Sequence, residues 1–375
     1  MSIVCKVVET KKDLKAFIDF PHDLYKDDKN YVPEIYIGQR SMFDKKNYPY
    51  YKHGDACLFL VYRDKTIVGR IAAIHHPLYN EYHSSNAGFF GFFDCIDDVG
   101  VAGILLEKAR QYSLKKGYTT LMGPTNHTTN ETAGMLIDGF DSPPMIMMTY
   151  NFPYYVDLME KNGLQKEMDL LAYYVTPQKV EKKSLALSDA INVRLKTKGI
   201  VVRKISVHAI EKDAAMFEEI YNNAWEKNWG FVPFTHEEFV YLKNDLVRII
   251  QPDFVYVAEK NNKPVGFMIC IPNMNEILIH NKRGRLLPWG IFRLWFGKSK
   301  IKTIRVLAMG VIEGYRKQGI EAVFMSNVIK EALKHNITGA EASWILENNT
   351  EMNQSLLNAG ANVYKTYRIY SQSLI

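Results

Sequence analysis

Four cysteines are all this 375-residue chain contains, and Cys5, Cys57, Cys95 and Cys270 lie far apart, with no paired spacing. That scarcity excludes a disulfide framework and a zinc knuckle, so the four read as reduced core thiols and no metal is expected. Long apolar runs are missing too: none reaches the roughly 18 residues needed to cross a bilayer. The opening stretch MSIVCKVVETKKD has no signal-peptide core, so a cytoplasmic protein is expected. Nor is there a strong charge of one sign. The 47 basic and 41 acidic residues are well mixed and leave +6, which suits an acidic ligand and is too dispersed for nucleic acid. With 47% hydrophobic content the chain is globular and long enough for two or three domains.

What the chain does have is a repeat. Gly69 of GRIAAI and Gly266 of GFMICI stand 197 residues apart, and Asn151 with Asn348, Gly163 with Gly360 and Tyr173 with Tyr370 keep that spacing. NYVP at Asn30–Pro33 and GFVP at Gly230–Pro233 follow at 200. A constant offset at separate landmarks argues for duplication. Each copy reads as strand, helix pair, strand hairpin, strand-turn-helix, strand, helix, strand, an α/β plan with a mixed sheet. The expected division is 1–176, a charged connecting helix over 177–198, and 199–375. Gly123–Pro144, dense in Gly, Pro, Asn and Thr, reads as a structured loop whose polar groups either line an acceptor pocket or bond one another at the surface, where His127 is expected.

The most informative stretch is Ile304–Lys334. Ile304–Ile312 is a near-continuous apolar run that suits a central strand, with Gly310 marking a bulge or a close backbone approach. Ile320, Phe324, Val328 and Ala332 then recur every fourth residue, as on an amphipathic helix. Between them GYRKQGIEA places Arg316 and Lys317 beside Gly319 and the first free amides of the helix, a ready anion site. In the first copy Asp97 and Asp98 occupy the place of Arg316 and Lys317, and would repel a phosphate.

Arg316, two residues, then Gly319 resembles the pyrophosphate loop of GNAT-type acyl-CoA N-acyltransferases, and MGVIEGYRKQGI followed by EASWILENN matches the two central GNAT motifs in order and spacing. Over nearly the whole chain the sequence resembles bacterial tandem-GNAT proteins with a YKDD-x-NYVP start and a SWILE-x-N finish, some of them associated with acylation of sphingoid bases. The resemblance implies two GNAT-like domains in tandem, the first with a degenerate coenzyme site. It implies an enzyme that uses acyl-CoA or acetyl-CoA as co-substrate, with no tightly bound cofactor, and an amine as acceptor. Met309, Val311, Ile312, Arg316, Lys317, Gln318, Gly319, Ile320 and Asn348 would hold the coenzyme. Two positions depart from the family pattern: Glu321 stands where it keeps Gly or Ala, and Leu356 where many members place the tyrosine that protonates the leaving thiolate.

An amine must lose a proton to become an amide nitrogen, and carboxylates serve that purpose. Glu341 and Glu347 are the candidates. Strand alternation puts Glu341, Ser343 and Ile345 on one face, expected to line the cleft, the other reading of Glu341 being a salt bridge. Asn348 is either a coenzyme contact or the cap of the next helix. For the thiolate, Tyr364, Tyr367 or Tyr370 substitutes for Leu356, or it leaves with little help; Tyr367 is taken as the candidate. Leu286–Phe296, aromatic and flanked by Lys and Arg, reads as a peripheral membrane contact, a cover over an acyl chain, or a packed helical hairpin. A long-chain amine is thus the favoured acceptor, beside the alternatives of an acetyltransferase for a small polar amine or peptide and a decayed acyl-CoA sensor or scaffold.

Overall fold

The computed structural model describes residues 2–206, 210–225, 228–287 and 289–375. In chain order the elements are β1 (Ile3–Val7), α1 (Lys11–Leu24), α2 (Tyr36–Met42), β2 (Asp55–Arg63), β3 (Thr66–His75), α3 (Pro77–His83), β4 (Ala87–Cys95), α4 (Val99–Lys115), β5 (Thr120–Gly123), β6 (Met135–Asp138), α5 (Tyr155–Lys161) and β7 (Gln165–Val175). They continue as α6 (Lys182–Thr197), β8 (Ile200–Lys204), α7 (Ile210–Ala224), α8 (His236–Leu246), β9 (Val255–Lys260), β10 (Lys263–Pro272), α9 (Asn275–Leu278), α10 (Trp289–Gly297), β11 (Thr303–Val311), α11 (Ile320–Lys334), β12 (Gly339–Leu346), α12 (Thr350–Asn358) and β13 (Asn362–Ser373). The helix expected over Ala209–Lys227 is α7; Ala209 and Lys227 themselves lie outside the described residues.

The described residues pack into two compact units. The first holds the chain up to Leu171 together with Asn275–Lys298 and Lys365–Ile375; the second holds Ala172–Met274 and Ser299–Tyr364. Local contacts explain why these groupings differ from a simple cut of the sequence. Helix α6 belongs with the second unit because its Leu195 is buried in the core under α11 and Ile191 packs on the same cluster. Segment 275–298 belongs with the first because Arg283 bridges to Asp23 and Arg285 to Asp19, 2.8 Å away. The last residues join it through β13, which pairs with β5 from Tyr370↔Gly123 to Ser373↔Thr120.

Each unit repeats one plan. In the first, β1, β2, β3 and β4 are antiparallel neighbours and β5 lies parallel to β4. In the second, β8, β9, β10 and β11 are antiparallel and β12 lies parallel to β11. The landmark glycines keep equivalent roles: Gly69 pairs with Cys95 and Gly266 with Val311, the last residues of β4 and β11. Gly163 and Gly360, at φ 81° and 79°, follow α5 and α12 in the left-handed conformation that ends a helix without cost only at glycine.

Helix starts are set by local capping. Thr10 and Asp13 form a reciprocal capping box at α1, as do Thr235 and Glu238 at α8. Asp98 caps α4, accepting from the amides of Gly100 and Val101 at 2.9 and 3.1 Å, while Arg63 sits on its other oxygen at 2.5 Å and holds the carboxyl below the usual range. All four cysteines are free, and burial raises each thiol above its ordinary value.

Asp98→Ala removes both the cap and the ion pair of α4. A loss of about 1 kcal/mol is expected, a fall of roughly 2–4 °C in Tm by calorimetry, whereas Asp97→Ala should leave Tm within a degree or so.

Candidate active site

Strand β11 follows β10 from Gly266↔Val311 to Ile269↔Ala308; then Cys270 faces Val306 and Leu307 is left over. An extra residue bends a strand and breaks its ladder. On its other edge β11 keeps register with β12 only from Thr303↔Gly339 to Val306↔Ala342. Beyond that rung the described residues show no further pair between the two parallel strands, so Leu307–Val311 is open along this edge while Ala308–Val311 stays paired with β10 along the other. Open peptide groups within a sheet require a partner, and an extended ligand with amides of its own supplies one. Half-buried Met309 and buried Val311 lie on this stretch. Gly310 is not the bulge: a Cβ there would come within 2.6 Å of the Trp225 ring, which packs over the strand.

The open stretch runs into the basic turn. Arg316 Nε donates to the carbonyl of Val311 at 3.0 Å, folding the turn back on the strand just before Ile312. Lys317, left-handed at φ 60°, lies exposed with its ammonium 3.1 Å from Glu351. Gln318 Nε2 donates to Gly314 O at 3.1 Å, and the Gln318 carbonyl accepts from Arg194 of α6 at 3.3 Å. Gly319 then starts α11 at φ 92° with no side-chain cap, leaving the positive end of the helix at Ile320 to whatever binds there. The φ of Gly319 favours glycine, and a Cβ would meet Ile191 of α6 at 2.7 Å.

The first unit treats the same features in the opposite way. β4 and β5 also part after three rungs, at Phe89↔Met122. Their gap is filled by the chain itself: Thr125 donates its amide to Phe90 O, and Asn126 Oδ1 accepts the amide of Phe92, each at 2.8 Å. A Cβ on Gly91 would fall 1.7 Å from the Thr125 carbonyl, so only glycine admits the plug. His127, expected at the surface, is fully buried among Phe43, Tyr48, Tyr50, Tyr51 and Phe92, because Asn126 and Thr132 pin the loop inward. Where α11 has an uncapped start, α4 has Asp98.

At the last shared rung of the second unit sits a buried charged cluster. Glu341, expected to face open space, has no exposed surface. Its register partner across the parallel strands is Arg305, which is 2% exposed and places Nε 3.5 Å from the carboxylate. Ser343 donates to Glu341 Oε1 at 2.5 Å and accepts from Arg305 Nε at 2.9 Å. The hydroxyl of half-buried Tyr364 donates to Glu341 Oε2. The tyrosine joined to Glu341 is therefore Tyr364. Tyr367 is fully buried on β13 opposite Leu136, within the first unit. Glu347 and Asn348 lie exposed after β12, and the cap of α12 is Asn349, which accepts from the Met352 amide at 3.2 Å. Leu356 is buried. Arg194 and Arg305 were not singled out from the sequence, and Tyr364 was one of the three tyrosines weighed there, with Tyr367 preferred. The signal for Arg305 was there: it and Glu341 are the charges on two adjacent, otherwise apolar strands.

The model of the Acetyltransferase (GNAT) family matches residues 214–355, which span the open strand, the basic turn and Arg305, Glu341 and Ser343 of the buried cluster, and stop short of Tyr364. Protein YghO of Escherichia coli (strain K12) is 36% identical over 373 residues, 97% of this chain and 94% of that protein. The chain belongs to the GNAT family. A protein of Caulobacter vibrioides named bacterial ceramide synthase is 31% identical over 377 residues, 98% of this chain and 96% of that one. Among solved structures, a tandem GNAT protein from the clavulanic acid biosynthesis pathway, without AcCoA, is similar with a TM-score of 0.58 at 10% identity, covering 100% of this chain and 98% of that one. A GCN5-related N-acetyltransferase from Sphaerobacter thermophilus gives 0.52 at 11%, covering 99% and 96%. At such identities these two bear on the fold alone, and the fold is the tandem GNAT arrangement. The protein is an acyl-CoA-dependent N-acyltransferase, with acyl- or acetyl-CoA as the family's co-substrate and an amine as acceptor.

Arg305→Met strands the Glu341 carboxylate in the interior, at an expected cost of about 3–5 kcal/mol. The double variant Arg305→Met/Glu341→Met should recover most of that stability in denaturant titrations. A double variant no more stable than the single one contradicts the pairing.

Proposed function

We propose that this GNAT protein acylates a long-chain amine of the sphingoid-base type, taking the acyl group from acyl-CoA held along the second unit. The observation that carries the coenzyme half is the open edge of β11 leading to an uncapped, cation-flanked helix start. A diphosphate at Ile320 would accept from the first amides of α11 and lie beside Arg316 and Lys317, which outweigh the nearby Glu321. From there the pantetheine arm would run back along Val311–Leu307, whose open peptide groups match its amides, over roughly 13 Å at a strand's rise per residue. That path delivers the thioester to the rung where the strands part, next to Ser343 and the Glu341 cluster. Gln318 and Ile312 flank the phosphate end, and Asn348 is the polar contact assigned to the loop after β12. The filled gap between β4 and β5 and the capped start of α4 assign no coenzyme to the first unit.

In the transfer step the amine nitrogen attacks the thioester carbonyl. Its proton passes to the Tyr364 oxygen as the Tyr364 hydroxyl proton moves to Glu341 Oε2, and collapse of the tetrahedral intermediate forms the amide and releases coenzyme A thiolate. Tyr364 is the group that meets substrate. Glu341, buried behind it beside Arg305, is a positioning residue that takes up the proton. Glu347 and Tyr367 take no part in this route.

The acceptor half is supported by the similarity to the Caulobacter protein named bacterial ceramide synthase and by the segment Leu286–Phe296, whose Leu287, Ile291, Phe292, Trp295 and Phe296 are exposed, and which we assign to peripheral contact with a membrane at the cytoplasmic face. Pro288 within it lies outside the described residues.

Thiol release with a panel of amines tests the reading. A long-chain 2-amino-alcohol with palmitoyl-CoA should turn over well, and small polar amines with acetyl-CoA poorly. Tyr364→Phe and Glu341→Gln are expected to lower kcat about a hundredfold with acyl-CoA affinity unchanged, and Glu341→Gln should also displace the pH profile of kcat. Preference for acetyl-CoA and small amines, or tight acyl-CoA binding without release to any amine, would overturn it.

A further inference from the structure

We infer that α10, with Leu287 before it, is a docking face for an anionic lipid surface. The helix is amphipathic in the reverse of the usual sense, because the residues it turns to the protein include both of its glycines, with half-buried Leu294 between them. A Cβ at Gly290 would lie 2.9 Å from Arg285 O and 3.1 Å from Asn281 Oδ1, and one at Gly297 would lie 2.9 Å from Ile277. The outward residues are the large ones: Ile291 is 45% exposed, Phe292 54%, Trp295 80% and Phe296 71%, with Leu287 at 72%. Positions 291, 292, 295 and 296 form two pairs four apart and so make one continuous stripe. A contiguous apolar stripe of this kind on the surface marks a contact site.

Charge decides which kind of partner fits. From Ile277 to Ile312 the sequence has eight Lys and Arg and no Asp or Glu. Arg283 and Arg285 are spent on the protein itself: they pair with Asp23 and Asp19, and Arg285 lies 3.3 Å over the Tyr36 ring. These bonds fix the platform to the first unit. Arg293 on the helix and Lys298 and Lys300 just after it are exposed. Aromatic side chains rimmed by cations suit the headgroup layer of an anionic bilayer, with the helix lying in its plane. Nine residues are too few to cross one, and no helix among the described residues is long and apolar enough to do so.

The inference deepens the long-chain acceptor reading by naming the surface where such a substrate is met, and its binding test stands apart from turnover. The full chain is co-sedimented with vesicles of phosphatidylcholine alone and of equimolar phosphatidylcholine and phosphatidylglycerol. Binding to the anionic vesicles only, weakened by salt, is expected. Trp295→Glu/Phe296→Glu should lower it at least about tenfold while Tm and turnover of a short-chain, water-soluble amine stay unchanged. Absence of binding to anionic vesicles overturns the inference, as does binding that survives the double variant. A dimer that the double variant splits, without vesicle binding, also overturns it and identifies a second copy of the chain as the occupant. Vesicle binding with no turnover of any amine instead counts against the acyltransfer reading alone.

Discussion

Everything in the second unit follows from two parallel strands that stay together for four rungs and then part. Backbone amides and carbonyls within a sheet are costly to leave without partners. Splitting β11 from β12 after Val306↔Ala342 therefore creates a slot that calls for an amide-bearing ligand. The leftover residue Leu307 bends β11 at the point of separation. The slot has two ends of different chemistry: a positive one at the start of α11, and a buried, internally paired one at Arg305 and Glu341. A ligand with phosphates at one end and a reactive carbonyl at the other matches that polarity.

The duplicated unit shows the same strand separation with the slot closed. Thr125 and Asn126 supply the hydrogen bonds that a ligand would supply elsewhere, and Gly91 makes room for them. Asp98 does for α4 what a phosphate would do for α11. One backbone plan thus has two electrostatic outcomes, decided by an aspartate against Arg316 and Lys317, and by a loop that turns inward at Gly123 instead of continuing as β12 does.

Much of this was legible in the sequence, since the repeat landmarks are backbone requirements. Gly163 and Gly360 must be left-handed, and Gly69 and Gly266 sit against the ends of β4 and β11. The basic turn was legible because Arg316 and Lys317 precede a helix with a clear stripe. The buried cluster was legible only in part. Alternation put Glu341 and Ser343 side by side correctly, but it carries no information about what covers a face, so the full burial of Glu341 and its pairing with Arg305 came from the neighbouring strand. Tyr364 was one of three tyrosines that spacing could not separate, because the choice depends on which unit each one folds with. His127 was misjudged for a similar reason: its burial is set by aromatic residues some 80 positions earlier in the chain. The reversed polarity of α10 was hidden because composition does not say which side of a helix faces the protein.

A calorimetric titration of the full chain with coenzyme A tests the central claim most directly. One coenzyme per chain is predicted, its affinity lowered by at least about tenfold in Arg316→Ala/Lys317→Ala and unchanged in Asn126→Ala. Two equivalent sites, or one site that ignores the basic turn and responds to Asn126, would contradict the account.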